Sequence, residues 1–156
     1  MKNLAILKAA CDSVIADPSL QPKKNAQGQI IETHCNMGAI KVANAMGCHE
    51  LDNQMADQQH ATMIANVSKL WTKVDGITAT NYALAGGLAF ASMSSTQLKE
   101  AHGHIATIYP APMQFSGSLN KQVPMVSNVG VTDIEEKESM AFPVADGEPD
   151  YFTWQG

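Results

Sequence analysis

The stretch ETHCNMGAIKVANAMGC spans residues 32–48. It begins polar and turns apolar at Cys35. From there Ala39, Val42, Ala43 and Met46 recur at helical spacing, and Gly47 is a natural stop. The spacing predicts a helix from about Cys35 to Met46. A buried structural cysteine could sit anywhere on that run. A cysteine in the first turn meets unpaired N–H groups and the positive end of the helix dipole, which favour a thiolate. The Cys35 thiol is therefore expected to have a depressed pKa.

Upstream, Leu4, Leu7, Ala10, Cys11, Val14 and Ile15 share one face of a predicted amphipathic helix. The segment is broken by Lys8 and Asp12 and reads as that helix rather than as a signal peptide. DPSLQPKKNAQGQ (17–29) reads as a loop. Downstream, residues 50–74 read as one or two short helices ending near Trp71, and ITATNYALAGG (77–87) as another closed by Gly86 and Gly87. The texture then changes. LAFASM (88–93), HIATIYP (104–110) and QVPMVSNVG (122–130) suit strands, with Pro124 hinting at an edge or a strand start. MAFPV (140–144) and DYFTW (150–154) would add short ones. Helices followed by strands mean a single α+β domain over residues 1–156, with N-terminal helices packed on a mostly antiparallel sheet.

Composition narrows the function classes. Of 156 residues, 45% are hydrophobic and 16% charged, a globular balance. The net charge is −5, and Lys23-Lys24 is the longest basic cluster. That argues against nucleic acid, an anionic membrane or a polyanionic ligand as the main partner. A neutral, peptide-like or sugar-peptide ligand is permitted. No segment approaches the roughly 18 apolar residues of a membrane span. Cys11, Cys35 and Cys48 are odd in number and lack metal-site spacing, so at least one thiol stays unpaired within the chain. A Cys11–Cys48 bridge would leave Cys35 free.

A reactive thiol needs a base and a group that orients it. AHGHIATIYP (101–110) offers His102 and His104 at the start of a strand, where His104, Ala106 and Ile108 share one face. The next strand offers Gln122, Ser127 and Asn128. These stretches, THCNMGAIKVANAMG, GGLAFAS with HGHIATIYP, and VPMVSNVG, resemble the NlpC-type papain-like cell-wall peptidases and the related CHAP amidases. The likeness runs from about Glu32 to Gly130. It implies a papain-like (NlpC-type) fold and hydrolysis of amide bonds in bacterial peptidoglycan, either within stem peptides or at the sugar–peptide link. By position, Cys35 matches the nucleophile, His104 the base and Asn128 the orienting residue, with Gln122 and Ser127 behind it. His34 stands where many members have aspartate, and Asn36 where serine or a bulky residue is frequent. ELDNQMADQQ (50–59) resembles an Asn-rich region that lines the family's cleft.

The resemblance implies acyl transfer without metal or cofactor. With no signal peptide recognised in the sequence, synthesis in the cytoplasm and action at the cell wall after lysis or delivery are expected, as a phage lysis enzyme or an antibacterial effector, for which an inhibitor or immunity protein would be a partner. A different class is a papain-fold module without activity that binds wall fragments or a partner protein. Plainer readings accompany the rest. His102 is expected in a turn or cleft, His34 exposed before the helix, and His49 and His60 on the surface. Cys11 and Cys48 are expected in or near the core. The methionines and Trp71, Tyr82, Tyr109, Tyr151, Phe152 and Trp154 are expected to pack, with one or two aromatics flooring a groove. A zinc site of His34, Cys35, His102 and His104 lacks a known ligand spacing.

Overall fold

A computed structural model describes residues 2–156. Helix α1 (Leu4–Ala16) starts at Asn3, whose side chain accepts from the Ile6 N–H at 3.1 Å. Such a cap contributes about 1 kcal/mol. α1 buries Leu7, Cys11 and Val14, whereas Leu4 is exposed. The segment read as loop contains a small antiparallel pair, β1 (Lys23–Lys24) and β2 (Ile30–Glu32). α2 (Cys35–Ala45) begins at the expected residue and buries Cys35, Gly38, Ala39, Val42 and Ala43.

α3 (Ala56–Ala65) comes next, and Trp71 does not end a helix. After a left-handed turn at Ser68 (φ 73°), Trp71 opens strand β3 (Trp71–Val74) and pairs with Trp154. That partner is 83 residues away, so local periodicity cannot reveal it. α4 (Gly76–Leu84) is capped by Asp75, which accepts from the Thr78 N–H at 2.7 Å. β4 (Ala89–Met93), the single-turn α5 (Ser95–Leu98) and β5 (His104–Ile108) follow.

A hairpin of β6 (Gln114–Ser116) and β7 (Lys121–Val123) leads to β8 (Met125–Asn128). Pro124 has no N–H for a ladder, and it divides the single strand expected over 122–130. β9 (Ile134–Lys137) follows. MAFPV is not a strand: its Met140 and Ala141 close the short helix α6 (Glu138–Ala141). The last strand is β10 (Asp150–Trp154).

The main sheet runs β3-β10-β4-β5-β8-β9, and every neighbouring pair is antiparallel. This is an α+β fold. β10 is an interior strand, with Tyr151, Phe152, Thr153 and Trp154 all buried. One apolar cluster joins α1, α2, α3, α4 and the sheet, from Leu7 and Val42 through Met63 to Phe90, Ile105 and Phe152. The methionines do not all join it. Met46, Met63 and Met93 are buried, but Met37, Met55 and Met140 are exposed. Among the described residues, no helix is long and apolar enough to cross a membrane.

α2 reaches the sheet through Gly38. A Cβ there would stand 2.8 Å from the Val129 side chain, just past β8. The missing side chain lets the first turn of α2, with Cys35, approach the strand ends that carry His104 and Asn128.

Candidate active site

Cys35 occupies the first position of α2, and its 8% exposure opens onto a cleft. His104 is the first residue of β5 and is partly buried. Cys35, His104 and Asn128 line the same cavity of ≈ 590 Å³. A second hollow of ≈ 340 Å³ also reaches Cys35, walled by Ile30, Ile31, Met55 and Asp57. His102 and Gly103 border both. The thiol thus stands where two arms of the cleft meet.

The imidazole is oriented by the strand that was expected to supply its partner. Asn128 Oδ1 lies 2.8 Å from His104 Nε2. Registers explain the meeting. Thr107 pairs with Ser127, so Ala106 and Asn128 are opposite and His104 is a diagonal neighbour on the same face. The same register aims Ser127 away, and its hydroxyl donates to the Cys11 carbonyl at 3.1 Å on the α1 side. Gln122 lies exposed in β7. Neither Ser127 nor Gln122 bonds the His104 ring, and Asn128 does. Asn128 Nδ2 in turn donates to Glu136 Oε1 at 2.8 Å, a partner the sequence did not point to.

The histidine-bearing loop is tied down from below. Asp57, in the first turn of α3, accepts from the Ser95 N–H at 2.6 Å and the Gly103 N–H at 3.1 Å. Gly103 has no room for a side chain, since a Cβ would meet the Met93 carbonyl at 2.8 Å and Asp57 Oδ1 at 3.0 Å. The glycine of the Gly103-His104 pair is therefore a packing requirement. The Asn-rich likeness at residues 50–59 lies partly here, because Met55, Ala56 and Asp57 wall the smaller arm. An aspartate at a helix start in ELDNQMADQQ was the available signal for Asp57.

Electrostatics depart from expectation. Burial pushes the Cys35 thiol up, while the N–H groups of Ile105, Asn36 and Cys35 itself draw it back, and the Asp57 charge adds to the rise. The local helix-start effect is present, but desolvation outweighs it. Burial also holds His104 below its ordinary imidazole range, against the hydrogen bond its ring makes to Asn128. Surroundings of this kind favour a neutral thiol and a neutral imidazole on the same cleft. The Ile105 N–H belongs to the residue after His104, so the sulfur faces the start of β5.

The other candidates fall out as follows. His34 is buried, not exposed: Nδ1 lies 3.1 Å from the Leu20 carbonyl oxygen and Nε2 2.9 Å from Glu32 Oε1. It makes no side-chain cap for α2. His60 is also buried, with Nδ1 3.0 Å from Ser92 Oγ. Its environment is set by β4 and β10, which local sequence cannot show. His49 and His102 are exposed. Cys11, Cys35 and Cys48 are all free thiols, so no Cys11–Cys48 bridge forms. Burial pushes Cys11 and Cys48 up to about 12. Among the described residues, no three of His, Cys, Asp and Glu gather as metal ligands.

No protein-family model matches this chain, and no curated protein matches it in sequence. The site therefore rests on its own geometry. It holds a thiol at a helix start and, on the same cleft, an imidazole held by an amide.

Proposed function

We propose that this chain is a cysteine hydrolase of the papain-like, NlpC or CHAP-related kind that cleaves amide bonds in bacterial peptidoglycan. The observation that carries the reading is the His104 Nε2 contact with Asn128 Oδ1 at 2.8 Å on the cleft that Cys35 also lines. An amide oxygen facing Nε2 leaves Nδ1 as the ring nitrogen able to take a proton from the thiol. The two arms on either side of Cys35 suit an extended substrate that continues beyond the scissile bond in both directions.

In this reading the Cys35 S–H proton passes to His104 as sulfur bonds to the amide carbonyl carbon. The N–H groups of the first turn of α2 receive the developing oxyanion. The tetrahedral species collapses, its C–N bond breaks, and the imidazolium returns the proton to the leaving amine. Water then attacks the thioester with His104 as base, and the Cys35 thiol is regenerated. Asn128 keeps the ring in register throughout. The chemistry needs no metal or cofactor.

The resemblance supplies the substrate class, and the cleft is compatible with it. Neutral and acidic groups line the cavity and no lysine does. Action at the cell wall would follow lysis or delivery, as a phage lysis enzyme or an antibacterial effector, and an inhibitor protein that plugs the cleft would fit that role. A second reading draws on the raised Cys35 pKa: a papain-fold module that binds wall fragments or a partner protein without cutting. Digestion of purified sacculi followed by mass spectrometry of the released muropeptides separates the two. Hydrolysis predicts fragments heavier by one water, with a new amine end that names the bond cut. Sacculi bound but chemically unchanged would overturn the hydrolase reading.

A further inference from the structure

Behind Asn128 stands a carboxylate that the acyl-transfer steps do not use. Glu136, in β9, borders the larger arm of the cleft. The β8–β9 register pairs Val126 with Glu136, so Asn128 and Glu136 are diagonal neighbours on one face. His104, Asn128 and Glu136 thus form a diagonal row across three strands, with contacts of 2.8 Å and 2.8 Å.

The chemistry of this row is directional. An ionised carboxylate only accepts hydrogen bonds. The end of the Asn128 amide that meets Glu136 must therefore be Nδ2, and the end that meets His104 must be Oδ1. An oxygen facing Nε2 requires Nε2 to carry the proton, which leaves Nδ1 bare. Asn128 alone cannot impose that choice. Its two ends have nearly the same shape, and a turned amide would donate to a bare Nε2 and move the proton to Nδ1. The remaining contact of Nδ2, with the Thr132 carbonyl, is long at 3.5 Å. We infer that Glu136 is a positioning residue: through the Asn128 amide it fixes which nitrogen of His104 carries the proton. The consequence for turnover rests on the hydrolase reading above, but the tautomer itself does not.

The test is long-range proton–nitrogen NMR of the His104 ring in the full chain at pH 8, where the imidazole is neutral, beside sacculus digestion by the same samples. Wild type and Glu136→Gln are expected to show the Nε2–H form, because the Gln oxygen can still accept from Asn128. Glu136→Lys replaces an acceptor with a donor, so Asn128 is expected to turn and His104 to switch to the Nδ1–H form. Muropeptide release should then fall by roughly 10²-fold or more, the lower end of what a misplaced base costs. Adding Asn128→Asp should restore the Nε2–H form and much of the activity, since a carboxylate accepts from both neighbours. Should Glu136→Lys fail to fold, Glu136→Met is the second probe, and a mixture of tautomers is expected. An unchanged Nε2–H form in either folded variant would overturn the inference. A switched tautomer with a wild type that never cuts sacculi would leave Glu136 in its role and remove the hydrolase reading instead.

Discussion

His104 and His60 each have polar partners, but His104 lines a cleft and His60 packs against a buried serine. His104 meets Asn128, which meets Glu136, and the group opens on the cavity that Cys35 lines. His60 meets Ser92 Oγ at 3.0 Å on one side and Asp150 Oδ2 at 3.7 Å on the other. By residue type, serine, histidine and aspartate look like a hydrolase triad. Yet Ser92 is 0% exposed, and the His60 ring packs edge-on against Phe152 at 5.8 Å. No substrate carbonyl can reach that hydroxyl. Ser92 Oγ also lies 3.3 Å from the His104 carbonyl oxygen, so the sealed cluster braces the strand that carries the open one. Access, not residue identity, separates a site from a support.

The largest effects should come from the open cluster. Cys35→Ala is expected to abolish muropeptide release from purified sacculi while the melting curve stays near that of wild type. His104→Ala should cut release by roughly 10²–10⁴-fold, the usual contribution of a positioned general base. Activity at the wild-type level in either protein would break the comparison from the open side.

The sealed cluster should respond in the opposite way. Ser92→Ala strands buried partners and is expected to cost about 1–3 kcal/mol in denaturant unfolding, with turnover retained within a few fold. Complete loss of turnover in a folded Ser92→Ala protein would mean that the buried triad is the site.

The pH dependence of turnover follows from the open histidine. Burial lowers its pKa, and in the proposed mechanism it is neutral when it accepts the thiol proton. The acid limb of kcat/KM is therefore expected below 6.5, the ordinary imidazole value. An acid limb above that value would contradict the assignment. Stability has the same sign. Burial lowers the pKa of both His104 and His60, so the unfolded chain binds more protons just below pH 6.5. Their contribution is complete above that pH and declines as pH falls toward the folded-state values. Thermal melts at pH 7.5 and 5.5 should show the lower Tm at the lower pH.

The smallest effect is assigned to His102. It is exposed at the border of both arms. His102→Ala is expected to raise KM by a few fold and leave kcat nearly unchanged. If it abolishes muropeptide release while His104→Ala does not, the proposed base is the other histidine.

Much of this site was legible before any coordinates, for reasons that differ by residue. Cys35 announces itself through helical spacing that begins at that position, and strand alternation puts His104 on a definite face. Asn128 stood beside Gln122 and Ser127 as a polar group of the next predicted strand, and the β5–β8 register, with a hairpin between the two strands, is what sets it on the His104 face. What stayed hidden depends on contacts between distant segments. β10 enters the middle of the sheet and pairs with a strand 83 residues upstream, as Trp154 with Trp71. His60 is buried against strands remote in sequence, and His34 turns in toward the Leu20 carbonyl and Glu32, so a polar residue type misled in both cases. The Cys35 pKa failed in the same manner, because the helix start is local whereas desolvation comes from the packed sheet. Glu136 sits in DIEEKE, where no alternation of apolar residues marks a strand or a face.

The central claim is that the Cys35 sulfur takes up the acyl group. Acid-quenched mass spectrometry of wild-type protein caught digesting sacculi tests it most directly. A thioester adduct carrying a muropeptide acyl group is expected on the peptide that contains Cys35, and absent from His104→Ala protein. Wall digestion that proceeds undiminished in Cys35→Ala protein, or an adduct found on Cys11 or Cys48 instead, would contradict the account.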